Sequence, residues 1–366
     1  MSSSSQASQR INALLDENSF VEIGALVTAR STDFNLKQEE TPSDGVVTGY
    51  GVIDGNLVYV YSQDSSVLGG SIGEMHAKKI VRLYDLAIKT GSPVIGLIDS
   101  AGLRLQEGSD ALNAFGEIYL KQVEASGVVP QITAVFGTCG GGLALIPSIT
   151  DFTFMESDKA KMFVNSPNVL DGNYKEKLDT SSAKWQSENA GNVDVVADEA
   201  AIYAQIRELV SLLPSNNEDG DSYDECSDDL NRACENLDGY TADPALIAGQ
   251  IADNGVFFET KRDYAKEMLQ DSLSSTVQLL VLSETVQLSL MRMVRKQRSL
   301  MTSLQLMHAT RQLSSLTSVM LLISLFLHLQ MLQASAQPSV TRSMLPRLQV
   351  SLFMLLQMQQ YLRLTL

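Results

Sequence analysis

Two glycine-containing segments each follow a short apolar run. The segment 99-DSAGLRLQEG-108, here the first turn, follows 94-VIGLI-98, and 136-FGTCGGG-142, the second turn, follows 131-QITAV-135. Short uninterrupted apolar runs are typical of parallel strands that helices cover on both faces. Because the carboxyl ends of parallel strands share one edge, both turns would bring unpaired backbone N–H groups to one point. Such a point can hold an oxyanion or a phosphate.

The flanking sequence predicts alternating strands and helices. Asp54-Gly55 predicts a tight hairpin turn between strands 46–53 and 57–61. Apolar residues at helical spacing predict helices over 72–89, 109–125 and 198–213, with further helices near residue 10 and residue 141. Residues 152–155 and 162–164 predict two more short strands. Such strand–helix alternation is the sequence sign of right-handed βαβ crossovers in an α/β fold.

Composition changes abruptly along the chain. All 24 glycines lie at or before Gly255, and residues 272–366 contain a single acidic residue, Glu284, against eight Arg or Lys. The net charge of −16 therefore belongs to the residues before this tail, and an acidic body argues against nucleic acid as the main partner.

The cysteine pattern and the first residues predict a cytoplasmic protein. The three cysteines, at 139, 226 and 234, form no C-x-x-C pair, which fits a reducing compartment. The start, MSSSSQ, lacks the charged and apolar regions of a signal peptide. The acidic stretch 218–238 does not have calcium-loop spacing and is interpreted as a solvated loop, so no metal site is predicted.

Several motifs, in order and spacing, resemble the carboxyltransferase subunit of biotin-dependent acyl-CoA carboxylases and of sodium-pump acyl-CoA decarboxylases. The resemblance extends from about Arg10 to about Met268. The motifs that carry it are 45-GVVTGYG-51, 62-SQD-64, 69-GGS-71, 74-EMHAKKI-80, the two turns, Pro147 and 150-TDF-152.

The resemblance implies a crotonase-like (ClpP-like) spiral of ββα units in which two glycine turns hold a thioester carbonyl. It implies a first domain that binds acyl-CoA, a second domain approached by carboxybiotin, and an active site formed between domains of two subunits in a trimer or hexamer. Implied partners are a biotin carboxyl carrier protein with biotin carboxylase, or sodium-pump decarboxylase subunits. Implied substrates are acetyl-, propionyl-, methylmalonyl- or glutaconyl-CoA, and no metal is implied.

The chain departs from the family pattern at two bulky residues. Leu103 stands in a first turn that many members write D-S-G-G-A-R, and Leu143 follows a second turn that they write C-A-G-G-A. These leucines leave the size of the acyl pocket, and hence the substrate, open.

The second turn carries the predicted chemistry. Carboxyl transfer at the α-carbon of an acyl-CoA needs an enolate, and backbone N–H donors at a helix start stabilise its oxygen. By position, Gly141 and Gly142 are the predicted donors, with Gly102 and Gly140 lining the acyl-CoA site. The alternative is that residues 140–142 only allow a helix to pack closely on a strand.

The charged residues nearby have two interpretations each. Arg104 either binds CoA phosphates or fixes its loop through a carboxylate such as Glu107. Lys78 and Lys79 either meet CoA phosphates or lie on a solvated helix face. His76 is expected on the helix surface, and Cys139 is expected to be a small buried residue. The resemblance implies that biotin accepts the proton, in agreement with the absence of a Ser/His/Asp or Cys/His constellation.

After Met268 the resemblance ends. The family continues with V-T-G-F and later N-G-x-T-V-G-V-V-G-N-R-T, which residues 269–287 match only when each codon is read back by one nucleotide; Thr-Gly-Phe then becomes Gln270-Asp271-Ser272. We therefore interpret residues 1–268 as the first carboxyltransferase domain. The hypothesis for residues 269–366, here the tail, is an out-of-frame translation of the second domain that lacks a native fold.

Other interpretations of the chain remain. The apolar stretch 313–332 could be a membrane segment or a docking helix, although its apolar core, 316–327, is short for a span. The protein would then be a non-catalytic acyl-CoA-binding or assembly module. A crotonase-type hydratase or thioesterase is a third option, whose second-turn carboxylates cannot be placed here.

Overall fold

The computed structural model describes residues 5–30, 41–167, 179–219, 244–264, 268–275, 278–285 and 326–327. Residues 220–238 of the acidic stretch and most of the tail, including most of 313–332, lie outside these residues. The described helices are α1 Gln6–Leu14, α2 Glu74–Thr90, α3 Ser109–Ala125, α4 Leu145–Ile149, α5 Ala183–Trp185, α6 Glu199–Leu212 and α7 Pro244–Ile251. The described strands are β1 Val21–Ile23, β2 Val46–Ile53, β3 Asn56–Gln63, β4 Val94–Ser100, β5 Gln131–Gly140, β6 Phe152–Glu156, β7 Lys161–Phe163, β8 Val195–Ala197, β9 Phe257–Glu259, β10 Met268–Ser275, β11 Gln278–Thr285 and β12 Phe326–Leu327.

An eight-stranded sheet forms the body. Its order is β1-β2-β3-β4-β5-β6-β8, and β7 pairs with β5. Strands β1 to β3 run antiparallel, whereas β3, β4, β5, β6 and β8 run parallel. Helices α2 and α3 connect the parallel strands, so the predicted α/β alternation is confirmed.

Apolar residues on both faces of the sheet hold these elements. On one face, α2 and α3 contribute Ile80, Leu83 and Ile118 to a buried cluster. On the other face, α1 and α6 contribute Ile11 and Ile206 to a second cluster. Because helices cover β4 on both faces, its first five residues, Val94–Ile98, are all buried, and buried and exposed positions do not alternate.

The helix ends follow their local sequence. Gly91 ends α2 in the left-handed conformation, with φ 62°. Asp198 caps α6 by accepting a hydrogen bond from the Ala201 N–H, so the helix begins one residue later than predicted. The helix predicted near residue 141 is a 3₁₀ turn over Gly141–Ala144 that continues into α4.

A bulge in β5 positions the second turn. The register between β4 and β5 passes from the pair Ile98–Val135 to the pair Ser100–Cys139. Between these pairs β5 advances four residues and β4 only two, so β5 contains two extra residues. Before the bulge β5 pairs with β6, and after it β5 pairs with β7. The strand thereby leaves one partner for another and brings its last residues beside the first turn.

Part of the tail is described. Strand β10 pairs antiparallel with β11 and with β9, which precedes the tail, and β12 lies parallel to β11. Within the described ranges, none of the helices has the length and apolar character that crossing a membrane requires.

Candidate active site

The two turns meet at the carboxyl ends of β4 and β5. Gly102 has φ 98°, and a Cβ there would lie 2.9 Å from the Gly140 carbonyl oxygen. The Gly102 N–H donates to the Ser100 hydroxyl (3.1 Å), and the Gly102 carbonyl accepts from the Ile72 N–H (2.8 Å). Glycine at position 102 therefore allows the two backbones to touch, and the structure brings together the predicted residues Gly102 and Gly140.

The start of the second turn is open on one side. Gly141 has φ 65°, and a Cβ there would meet no atom of the described residues within 4 Å. Among those residues, no side chain caps the 3₁₀ turn that begins at Gly141. The first N–H groups of a helical turn have no acceptor inside that turn. The Gly141 and Gly142 N–H groups are therefore suitably placed to bind an oxyanion.

Arg104, a residue of the first turn, is fully buried. Its guanidinium lies 2.5 Å from the Asp44 carboxylate and 3.0 Å from the Glu107 carboxylate, and it donates to the Ser71 carbonyl (2.7 Å). Of the two interpretations for Arg104, these contacts are the loop-fixing ones. With no exposed surface, Arg104 offers no donor to a CoA phosphate in this structure, which differs from the predicted ligand role.

Glu107 links the first turn to the start of α2. One carboxylate oxygen accepts from Arg104, and the other accepts from the Glu74 N–H (2.6 Å). Burial raises the pKa of the Asp44 carboxyl, and the Arg104 charge opposes this rise. The cluster of Asp44, Arg104 and Glu107, here the ionic cluster, anchors residues 104–107 to two other parts of the chain.

The two lysines of α2 differ in exposure. Lys78 is exposed, and its ammonium lies 2.6 Å from the Glu74 carboxylate. Lys79 is buried and donates to the carbonyls of Ser43 (3.0 Å) and Val46. Burial lowers the pKa of Lys79 to about 8. The predicted contact with CoA phosphates is therefore compatible with the position of Lys78 but not with the inward position of Lys79.

His76 is buried, so its expected place on the helix surface is wrong. Its Nδ1 lies 2.9 Å from the Asp44 carbonyl and its Nε2 lies 3.2 Å from the Gln63 amide nitrogen. Burial, with the nearby Arg104 charge, lowers the pKa of His76 well below its usual value. His76 lies four residues before Ile80 and seven before Leu83, so the periodicity of α2 already places it on the buried side of the helix, and its polar character was the reason for the wrong expectation.

Cys139 and the two bulky leucines have structural positions. Cys139 is fully buried, as predicted, and burial raises the pKa of its thiol, which disfavours the nucleophilic thiolate. Leu143 is also fully buried, within the core formed with α2 and α3, and Leu103 packs against the same core. The bulk of Leu143 is thus accommodated by the core and not by the open side of the turn.

Sequence reasoning missed two residues that support the turns. Asp44, with φ 49°, is the buried partner of Arg104. Arg10 lies 3.1 Å from the Asp99 carboxylate and stacks over the Phe136 ring at 4.9 Å. Both pairings join residues more than fifty positions apart, and no local pattern signals them.

The chain is similar to one protein family and to several curated proteins. The family described as "Carboxyl transferase domain" matches residues 3–270. The propionyl-CoA carboxylase beta chain of Roseobacter denitrificans is 39% identical over 72% of this chain and 54% of its own length. The methylmalonyl-CoA decarboxylase subunit alpha of Propionigenium modestum is 40% identical over 72% of this chain and 53% of its own length.

Similar solved structures confirm the predicted crotonase-like α/β fold. A transcarboxylase 12S structure, described as a hexamer with hydrolysed methylmalonyl-coenzyme A bound, is 34% identical with a TM-score of 0.70 and covers 76% of this chain and 56% of that chain. A long-chain acyl-CoA carboxylase structure, at 23% identity and a TM-score of 0.61, supports the fold alone. The chain spans about half the length of the curated relatives it matches. On its residues 3–270, the chain belongs to the carboxyl transferase domain family.

Proposed function

We propose that this chain supplies the acyl-CoA half of a biotin-dependent carboxyltransferase. The reaction would move a carboxyl group between carboxybiotin and the α-carbon of a short acyl-CoA, such as acetyl-, propionyl-, methylmalonyl- or glutaconyl-CoA. The observation that carries the proposal is the contact of Gly102 with Gly140, which places the open turn at Gly141 and Gly142 beside the first turn.

The chemistry assigned to the chain is charge stabilisation. Loss of the α-proton or of the α-carboxylate leaves an electron pair that delocalises onto the thioester oxygen as an enolate. The N–H groups of Gly141 and Gly142 would donate to that oxygen, and one such donor is worth roughly 3 kcal/mol of transition-state stabilisation. Absence of a Cβ at Gly141 leaves room for the thioester to approach the backbone.

Lys78 is the residue we assign to the CoA phosphates. Its ammonium is exposed, whereas Lys79 and Arg104 are engaged inside the protein. Biotin, carried on a separate protein, would supply the carboxyl group. The turns that would receive it would belong to the second domain, and we assign only the acyl-CoA side to the described residues before 265.

Assembly into an oligomer is part of the proposal. The outer face of α3 exposes Leu112, Leu120 and Val123, a spacing that places them along one side of the helix. An exposed apolar stripe supports a protein partner. The transcarboxylase 12S relative is described as a hexamer, and by likeness we propose a trimer or hexamer here, working with biotin carrier and carboxylase or decarboxylase subunits.

We propose further that the tail, 269–366, is an out-of-frame translation of the second carboxyltransferase domain. The family match ends at residue 270, two residues beyond the boundary drawn from the sequence, which supports the proposal. Sequencing the coding DNA tests it. An intact frame without a one-base change near codon 269 overturns it.

The function is tested on the purified full chain. Label transfer from a carboxylated biotin carrier to propionyl-CoA, together with calorimetric binding of propionyl-CoA and of free CoA, gives the readout. Transfer supports the enzyme, and loss of transfer in Gly142→Ala but not in Gly116→Ala supports the second turn, because a Cβ at position 116 meets no atom within 4 Å.

A second candidate is a catalytically inactive acyl-CoA-binding or assembly module whose tail docks a partner or a membrane. The coverage of 54% of a curated relative favours it, because nearly half of that relative's length is not matched. Propionyl-CoA binding without transfer supports this module. Failure of both binding and transfer contradicts both candidates.

A further inference from the structure

Tyr119 contacts the second turn from α3. Its hydroxyl donates a 2.5 Å hydrogen bond to the carbonyl oxygen of Gly142. The Leu145 N–H donates to the same carbonyl within the 3₁₀ turn. A carbonyl oxygen has two lone pairs, so the two donors together satisfy it and fix the plane of the Gly142–Leu143 peptide.

The Tyr119 side chain is itself held in place. Its ring lies 5.9 Å from the ring of the buried Phe115, at an interplanar angle of 40°. Partial burial raises the pKa of Tyr119, so the hydroxyl keeps its proton at neutral and mildly alkaline pH. The hydroxyl is thus a constant donor rather than a titrating group.

The geometry also explains glycine at position 142. A Cβ there would lie 3.0 Å from the Tyr119 hydroxyl and 3.8 Å from the Phe115 ring, while Gly142 has no positive φ. The hydroxyl is therefore the tightest neighbour of an alanine at this position, and no unusual backbone conformation opposes the substitution.

We propose that Tyr119 is a positioning residue of the oxyanion site: by holding the Gly142 carbonyl, its hydroxyl limits rotation about the Cα–C bond of Gly142 and so keeps in place the residue whose N–H is a proposed donor to the thioester oxygen. The proposal rests on the proposed function of that turn.

Infrared spectroscopy of propionyl-CoA labelled with ¹³C at the thioester carbonyl tests the proposal on the full chain without turnover. Donation to the carbonyl lowers its stretching frequency on binding. In Tyr119→Phe, which keeps the ring and removes the hydroxyl, the band should move back toward its position in solution. Tyr203→Phe is the matched control, because it removes a hydroxyl bonded to Glu199 on the other face of the sheet.

The outcomes separate the two proposals. A lowered wild-type band that is unchanged in Tyr119→Phe overturns the role of Tyr119 alone. A wild-type band that does not move on binding overturns the oxyanion function and the role of Tyr119 with it. Where transfer is measurable, kcat should fall about fivefold in Tyr119→Phe, the effect of one ordinary hydrogen bond, with affinity for free CoA unchanged. An equal loss of CoA affinity would contradict positioning.

A double-mutant cycle gives a readout of the geometry itself. Gly142→Ala should lower the urea midpoint of unfolding more in the wild type than in Tyr119→Phe, because the second background lacks the atom that crowds the new Cβ. Equal losses in the two backgrounds would show that the hydroxyl does not occupy this place.

Discussion

The two glycine turns stand side by side but are held by different forces. The first turn is tied down by the buried ionic cluster, in which Arg104 pairs with Asp44 and Glu107. The second turn contains no charged residue of its own; backbone pairing with β4 and β7 holds it, together with the Tyr119 hydroxyl and the stacking of Arg10 over the Phe136 ring.

This difference indicates that the first turn stabilises the fold, whereas the second turn keeps backbone donors available for a ligand. A buried ion pair fixes a loop, but its hydrogen-bond donors are already occupied by partners inside the protein. Backbone N–H groups at the start of a helical turn remain free to bind a ligand. We expect the first turn to dominate stability and the second to dominate activity, and the following substitutions probe that division.

Arg104→Met gives the largest expected loss. It leaves the Asp44 and Glu107 carboxylates buried without their cation, which costs about 4 kcal/mol of unfolding free energy. Urea unfolding measures it. Arg30→Met is the control, because Arg30 also contacts two carboxylates, Glu74 and Asp110, at the surface, and its loss should be within experimental error. Equal effects would contradict a special role for burial.

Gly102→Ala should cause the next largest loss of unfolding free energy. The alanine must adopt φ 98° and its Cβ must push the Gly140 carbonyl away, at a cost of about 3 kcal/mol. Gly127→Ala has a positive φ of 75° with no atom within 4 Å and should cost about 1 kcal/mol. Thermal unfolding compares them. If both cost the same, the two turns are not in contact at this point.

His76→Gln changes the pH dependence of stability. The folded-state pKa of His76 lies below its unfolded value of 6.5, so the unfolded chain binds the extra proton and stability falls as pH drops below 6.5. Between pH 6.5 and 5.5 the wild type should lose about 1 kcal/mol more than His76→Gln. Urea unfolding at both pH values measures the difference. Parallel pH profiles would place a protonated histidine beside Arg104, against the burial described.

Lys78→Ala is expected to have the smallest effect on stability. The Lys78–Glu74 pair is exposed, so unfolding free energy should not change measurably. Affinity for CoA should fall a few-fold at low salt, with the difference shrinking as salt rises. Calorimetry at two salt concentrations checks this, with Lys121→Ala, on α3, as a control that also removes a paired lysine. An unchanged affinity would mean that Lys78 is only a solvated surface residue.

Much of the framework follows from local sequence. Helix α3 begins and ends where its apolar periodicity predicts, at Ser109 and Ala125, and the hairpin forms around Asp54-Gly55. These elements depend on residues near one another in the chain. His76 and Lys79 share the buried side of α2 with Leu83, so helical spacing indicates their inward positions. Their polar partners could not be predicted, because the loop at Ser43 and Asp44 is distant in sequence.

The sequence by itself determined the family, the order of strands and helices, and the positions of the two glycine turns, because short-range patterns of apolar residues and glycine carry that information. Only the tertiary structure decided which charged residues beside these turns are buried and which are exposed. It buried Arg104 against Asp44, sixty residues away, left Lys78 outside, and brought the Tyr119 hydroxyl to the Gly142 carbonyl. Such contacts depend on how the helices pack across the sheet, and no local sequence pattern specifies which distant residues then meet.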